Sequence, residues 1–185
     1  MSRKIFDKVL DVKGDEKRSL SWYRGKVREL VKGANPPEVM DGKTRRRPSV
    51  GQMNFFIYDP KYKEELPYYD RFPLIFPIEF YDNGFLGINF HYLPLPVRAR
   101  LLDKLTEFAS NDKFDETTRF RGLNWKALSR IPEVKPCVKR YLFSHVRSPF
   151  RVLNGEEMPI AIFLPVSRFA KKGASYVHGQ SMGMI

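Results

Sequence analysis

The sequence predicts an α+β fold: a small curled antiparallel sheet or SH3-like barrel, with helical insertions and a basic, partly helical N-terminal arm. Three observations lead there. Aromatic and β-branched runs crowd residues 51–95 and are bounded by Asp-Pro and Asn-Gly turn signals. Apolar residues recur at spacings of three and four in two other segments. Charge is uneven: the first 50 residues carry 14 basic and 7 acidic side chains, over half of the chain's net +12.

The elements follow in chain order. From Asp15 to Leu30, the positions Leu20, Tyr23, Val27, Leu30 and Val31 form a helical stripe. Asp15 and Glu16 suit its positive end, and Gly33 stops it. Ala34 to Pro37 should then run extended, because a residue before proline avoids the helical region. Lys43 to Ser49 reads as a basic linker without an apolar face.

Gln52 to Tyr58 reads as a first strand, ended by Asp59-Pro60. Pro73 to Tyr81 and Phe85 to Leu93 form a hairpin around Asp82-Asn83-Gly84, where Asn-Gly accepts positive φ. Pro77 implies an edge or a bulge in its strand. A helix from Val97 to about Ala109 places Val97, Leu101, Leu105 and Phe108 on one stripe. Residues 111–123 read as loop, and Asn124 caps a short helix to Ile131. The apolar run Pro159 to Leu164 suits either a strand or a buried helical turn. The tail from Gly173 is rich in Gly, Ser and Met and is expected to extend outward. The chain thus divides into an arm (1–50), a compact domain (51–170) and a tail (171–185).

Composition narrows the class. Apolar residues make up 42% of the chain, enough for a core and too many for full disorder. A pI near 9.8 favours polyanionic partners: nucleic acid, acidic protein or anionic lipid. The single cysteine, Cys137, forbids an internal disulfide and reads as a small buried hydrophobe. No apolar run approaches the roughly 20 residues of a membrane span, and the first ten residues lack the apolar stretch of a signal peptide. A cytoplasmic protein, or a part of something assembled there, is expected, with no membrane partner.

Catalytic signatures are missing. The P-loop, dinucleotide, nucleophile-elbow and zincin motifs do not occur. His91, His145 and His178 lie far apart in sequence, and with one cysteine they make no standard zinc site. Asp11-Val-Lys13, Asp41-Gly-Lys43 and Asp59-Pro-Lys61 have the acid-to-lysine spacing of metal-dependent nucleases, but none sits on a strand beside another acid. No enzyme activity, metal or cofactor is expected.

Binding chemistry is present instead. Lys43, Arg45, Arg46 and Arg47 stand together, and Arg24, Lys26 and Arg28 add charge from the arm's helix. Guanidinium forks suit phosphate, or an acidic groove on a protein. A second cluster includes Arg121, Lys126, Lys139, Arg140, Arg147 and Arg151, interleaved with Tyr141, Phe143 and Phe150. Such interleaving serves single-stranded nucleic acid when the rings are exposed and a core when they are not. Tyr68, Tyr69 and Phe72 form a loop of rings suited to docking on a protein.

Leu66 to Ile78 and Gly84 to Pro94, with Lys135 to Leu142 and Ala161 to Pro165, resemble small basic proteins of tailed bacteriophages, especially the large contractile-tailed T-even type. The likeness spans residues 50–170 and brings no catalytic residue. It implies a virion or assembly component (tail, baseplate or neck) that docks on other phage structural proteins, made in the host cytoplasm and carried into the virion. The alternative is a DNA-binding protein in replication, transcription, packaging or end protection. A metal-dependent nuclease is the third reading.

Overall fold

The computed structural model describes residues 4–12, 18–49, 51–110 and 125–185. Asp15, Glu16, Arg121, Asn124 and the loop expected at 111–123 lie outside the described residues, as does the Phe108 side chain. Among the described residues, no helix is long and apolar enough to cross a membrane.

Six short strands build one antiparallel sheet: β1 (Thr44–Arg45), β2 (Asn54–Phe55), β4 (Leu74–Tyr81), β5 (Gly84–Asn89), β6 (Val138–Leu142) and β7 (Phe150–Val152). Their order is β1-β7-β2-β4-β5-β6. The sheet is therefore open and not an SH3-like barrel, with β1 and β6 as its edges. β3 (Tyr69–Asp70) pairs separately with β8 (Phe169–Ala170). Among the described residues, seven helices surround the strands: α1 (Asp7–Leu10), α2 (Leu20–Leu30), α3 (Pro36–Met40), α4 (Leu95–Ser110), α5 (Trp125–Leu128), α6 (Met158–Ala161) and α7 (Ala174–Met182).

Period-two alternation gives the sheet two buried faces. Phe55, Leu74, Phe76 and Ile88 point into the main core with α4 and α6. Phe56, Ile75, Phe85, Tyr141 and Phe150 point the other way into a second cluster. Phe56 is its centre, 4.8 Å from the Phe150 ring and 5.3 Å from Tyr141. The segment between β6 and β7 closes this cluster. It crosses below β2, pairing Val146 with Tyr58 and donating Arg147 N–H to the Ile57 carbonyl. Sheet and crossing segment together make the curl.

The hairpin at 74–89 forms with the expected bulge between Pro77 and Glu79, though β4 is a central strand. A bulge removes the ladder donor that proline lacks, so a central position becomes tolerable. The first strand shrinks to β2 because residues 57–59 pair with the crossing segment instead. Asn35 is extended, as expected of a residue before proline, but Pro36 to Met40 are helical and not extended. Asn35 and Glu38 form a reciprocal capping box, with Pro36 at a first-turn position where its missing N–H costs nothing.

The N-terminal quarter is not a detached arm. Ile5, Phe6, Val9, Val27, Val31 and Val39 are buried in the main core, and β1 joins the sheet against β7. Short helices each bury only one or two apolar side chains, so the segment reads as polar although it docks. The tail is likewise helical. α7 buries Val177 and Ser181, four residues apart, and donates His178 Nε2–H to the His91 carbonyl over 2.9 Å. Residues 159–161 of the ambiguous apolar run lie in α6, and Ile162 to Leu164 continue it as buried turn.

A buried polar hub ties these layers together. Asp70 accepts from the Phe72 and Arg168 amides, Asn89 Nδ2 and His91 Nδ1, the last over 2.7 Å. Burial alone would raise the Asp70 carboxyl, but His91, the Phe72 amide and Asn89 hold it below the usual range. Burial also lowers His91, more than Asp70 raises it, so the pair is a carboxylate beside a neutral imidazole. Arg98 on α4 is buried nearby, donating to the carbonyls of Leu93, Ile162 and His91, and burial brings it down to about 10.

The acid dependence of stability follows in sign. His91 and His178 are both lowered in the folded state, by burial first and then by cations such as Arg98. Unfolded chains therefore take up protons first, near pH 6.5, and stability declines as pH falls through that value. Asp70, lowered in the fold, adds a further loss only at the acid end of the carboxylate range. Urea midpoints should fall from pH 8 to pH 5, and His178→Gln should remove part of that fall. A flat or rising profile would contradict the neutral assignment of the buried imidazole.

Candidate nucleic-acid interface

Part of each basic cluster predicted from sequence comes together, through Arg47 and Phe143. Lys43 to Arg47 lie exposed along and beyond the edge strand β1. Arg47 places its guanidinium 4.6 Å from the Phe143 ring centroid, just past the opposite edge strand β6. The Phe143 N–H donates to the Asn83 carbonyl over 2.9 Å, and the Asn83 side chain accepts from Arg140. Arg147 follows on the crossing segment, exposed. A cationic rim thus runs from Arg45 and Arg46 through Arg47 and Arg147 to Arg140. The curl makes this possible, because it carries one edge of the sheet toward the other.

Beside β6 the rim borders a cleft of about 480 Å³. Six tyrosines line it: Tyr58, Tyr62, Tyr68, Tyr69, Tyr92 and Tyr141. Lys61, Lys139 and Arg140 line it too. Lys139 Nζ stands 4.1 Å from the Tyr92 ring centroid, and burial there lowers its affinity for the proton. Arg140 lies 3.9 Å over Tyr81, and Lys61 lies 5.1 Å over Tyr62. Burial raises the phenols of Tyr58, Tyr68, Tyr92 and Tyr141, so all four are neutral donors at physiological pH.

The walls are held from behind. Asn89 Nδ2 donates to the Tyr141 hydroxyl as well as to Asp70, so the buried hub orients a wall of the cleft. The Tyr58 hydroxyl accepts the Leu142 amide over 3.1 Å. Lys171, with φ 69° in the left-handed region, reaches under the loop before β3 and donates to the Glu64 and Leu66 carbonyls.

Other expected site residues fall elsewhere. Arg24, Lys26 and Arg28 sit on α2, whose main packing partners are α1 and α6, and Lys26 pairs with Glu29. Lys126 is exposed on α5. Phe72 is not a docking residue: it is buried and stacked 5.1 Å from Phe55. Tyr68 and Tyr69 are half-buried on the cleft. Arg151 is buried against Glu157 at 2.8 Å, and a Cβ on Gly42 would lie 2.2 Å from its guanidinium carbon. Tyr141 and Phe150 are core, as interleaved rings usually are, whereas Lys61, Tyr62 and Tyr92 were missed. The adjacent cation and ring at 61–62 were the available signal.

Among the described residues, no three His, Cys, Asp or Glu side chains are grouped to hold an ion. Asp59 pairs with Lys63 and Arg147, and Asp41 with Lys4. Cys137 is buried, donating to the Glu133 carbonyl, and burial pushes its thiol up to about 12.

A family model described as the phage T4 terminal DNA protecting protein matches residues 2–182. The chain belongs to this family. The match takes in the N-terminal segment that the resemblance read from sequence left out, in agreement with the burial of that segment in the core. No curated protein and no solved structure matches the chain.

Gly84 joins the rim to the cleft. Neither it nor Asn83 has positive φ; its value lies in its bare Cα, since a Cβ there would stand 1.9 Å from the Tyr141 carbonyl oxygen. Gly84→Ala should force β5 and β6 apart and cost about 2 kcal/mol or more. Denaturant unfolding checks this, with Gly155→Ala, at a site with open space around it, as the control.

Proposed function

We propose that this protein binds the ends of linear DNA and shields them from exonucleases without catalysing a reaction itself. The observation that carries the reading is the cationic rim joining Arg45, Arg46 and Arg47 to Arg140 across the mouth of the curled sheet. Its cations project from strands and short turns of a packed body, so their spacing is set before DNA arrives. Preorganised guanidinium groups lose little freedom on meeting phosphates, and counterion release supplies the drive. The family description adds the ends as the target.

That description favours the DNA-binding alternative over the virion structural component that the resemblance first suggested. Attachment to other phage proteins is compatible with end binding, but the rim's chemistry is that of a phosphate surface.

Linear duplex DNA should resist a processive exonuclease when the protein is present. Closed circular DNA should compete poorly for it. Replacing Arg45, Arg46 and Arg47 with Ala should abolish protection at moderate salt and shallow the log affinity–log salt slope by about 0.9 per lost phosphate contact. All three are exposed, so thermal unfolding should scarcely change. Unprotected ends, or equal affinity for circles, would refute the reading.

A further inference from the structure

The rim alone would hold any stretch of backbone. The cleft beside it has different chemistry, since its lining rings present flat faces with cations above or beside them. Tyr62 is 55% exposed, and Tyr68 and Tyr69 are half-buried. A cavity of about 480 Å³ lies within the range of roughly 300–1,000 Å³ that receives small ligands. Three cations exclude a cationic guest, which an aromatic cage would otherwise suit. A purely apolar guest would leave the Lys139 ammonium facing apolar atoms. A planar base carrying a phosphate satisfies both features together.

A paired base cannot enter such a concavity, because its faces are stacked on neighbours and its edge on its partner. Only a nucleotide outside the stack offers two free faces, and an already unpaired one costs nothing to extract. We infer that the tyrosine cleft takes an unpaired nucleotide at the end of a DNA strand, its base stacked against Tyr62 and Tyr68 and its phosphate held by Lys139, Arg140 and Lys61. The reading rests on the proposal that the chain binds DNA ends, and it names the kind of end preferred: one with a short single-stranded extension.

The geometry supports a site ready before binding. The loop carrying Lys61 and Tyr62 is pinned at both ends of its second half by Lys171 Nζ, 3.0 Å from the Glu64 carbonyl and 2.7 Å from that of Leu66. Lys63 closes its first turn onto Asp59 at 3.0 Å. Tyr68, at the loop's far end, lies 6.1 Å from Tyr92 and 6.2 Å from Tyr176 on α7. The C-terminal helix therefore buttresses the cleft from behind. Lys172 adds a cation 4.8 Å over Tyr176.

The test uses the full chain and two versions of one duplex, blunt or with a short single-stranded extension ending in 2-aminopurine. The extended end should bind about tenfold more tightly, within the range that stacking one base allows. The 2-aminopurine fluorescence should be quenched, and the same probe placed inside the duplex should not respond. Tyr62→Ala, at an exposed position, should bring the extended end down to the affinity of the blunt end, and Tyr68→Phe should keep the preference. Equal binding of both ends, with Tyr62→Ala silent, would overturn the nucleotide cleft and leave end binding intact. Failure to bind or protect either end would instead remove the underlying reading.

Discussion

The buried carboxylate of Asp70 constrains much of this molecule. It sits in a strand only two residues long, yet it takes hydrogen bonds from the turn just after β3, from β5, from the turn after β5 and from the segment entering β8. An ionised group in a dry core is tolerable only when its lone pairs are filled and a counter-charge is near. Four donors and the buried Arg98 meet those conditions. Arg98 in turn reaches carbonyls before α4 and after α6. Helix packing, the second sheet and the aromatic cleft are thereby referred to a single centre, which fixes their relative positions more narrowly than apolar contact would.

The curl of the main sheet is the second determinant. Rings on its second face could not be buried by a flat sheet of such short strands. The segment between β6 and β7 folds across to cover them, and Phe56 packs on four neighbouring rings as a result. Bending brings Phe143 under Arg47 and sets Arg140 beside the hairpin turn. A stability requirement of the aromatic cluster thus also assembles the charged rim. Gly84 marks where the two demands coincide, because β5 and β6 approach each other there with no space for a side chain.

Function divides between two kinds of force. Phosphate contacts are long-ranged, salt-sensitive and indifferent to sequence, which would suit the proposed binding of DNA termini of any composition. Ring faces act only at contact and only on bases that are free of their stack. Under the proposed function, having both in adjacent places would let electrostatics bring DNA in and stacking decide where along it the protein stays.

Local signals determined the helix at 20–30, the hairpin with its bulge, the helix beginning near residue 95 and the α+β class, because each rests on periodicity or turn chemistry within a dozen residues. The basic clusters were legible for the same reason, and so were the rings at 68 and 69. Docking of the N-terminal segment was not legible, since Phe6 and Val9 at α1, Val27 on α2 and Val39 on α3 are spread over three short elements and form no single stripe. Nor was the burial of Arg151, whose partner Glu157 and whose covering residue Gly42 come from opposite ends of the chain. The meeting of Arg47 with Phe143, and of Tyr68 with Lys139, depended on long-range pairing alone. Register and curl are collective properties of strands far apart in sequence, so only the tertiary structure could convert two scattered charge clusters and a run of rings into one surface.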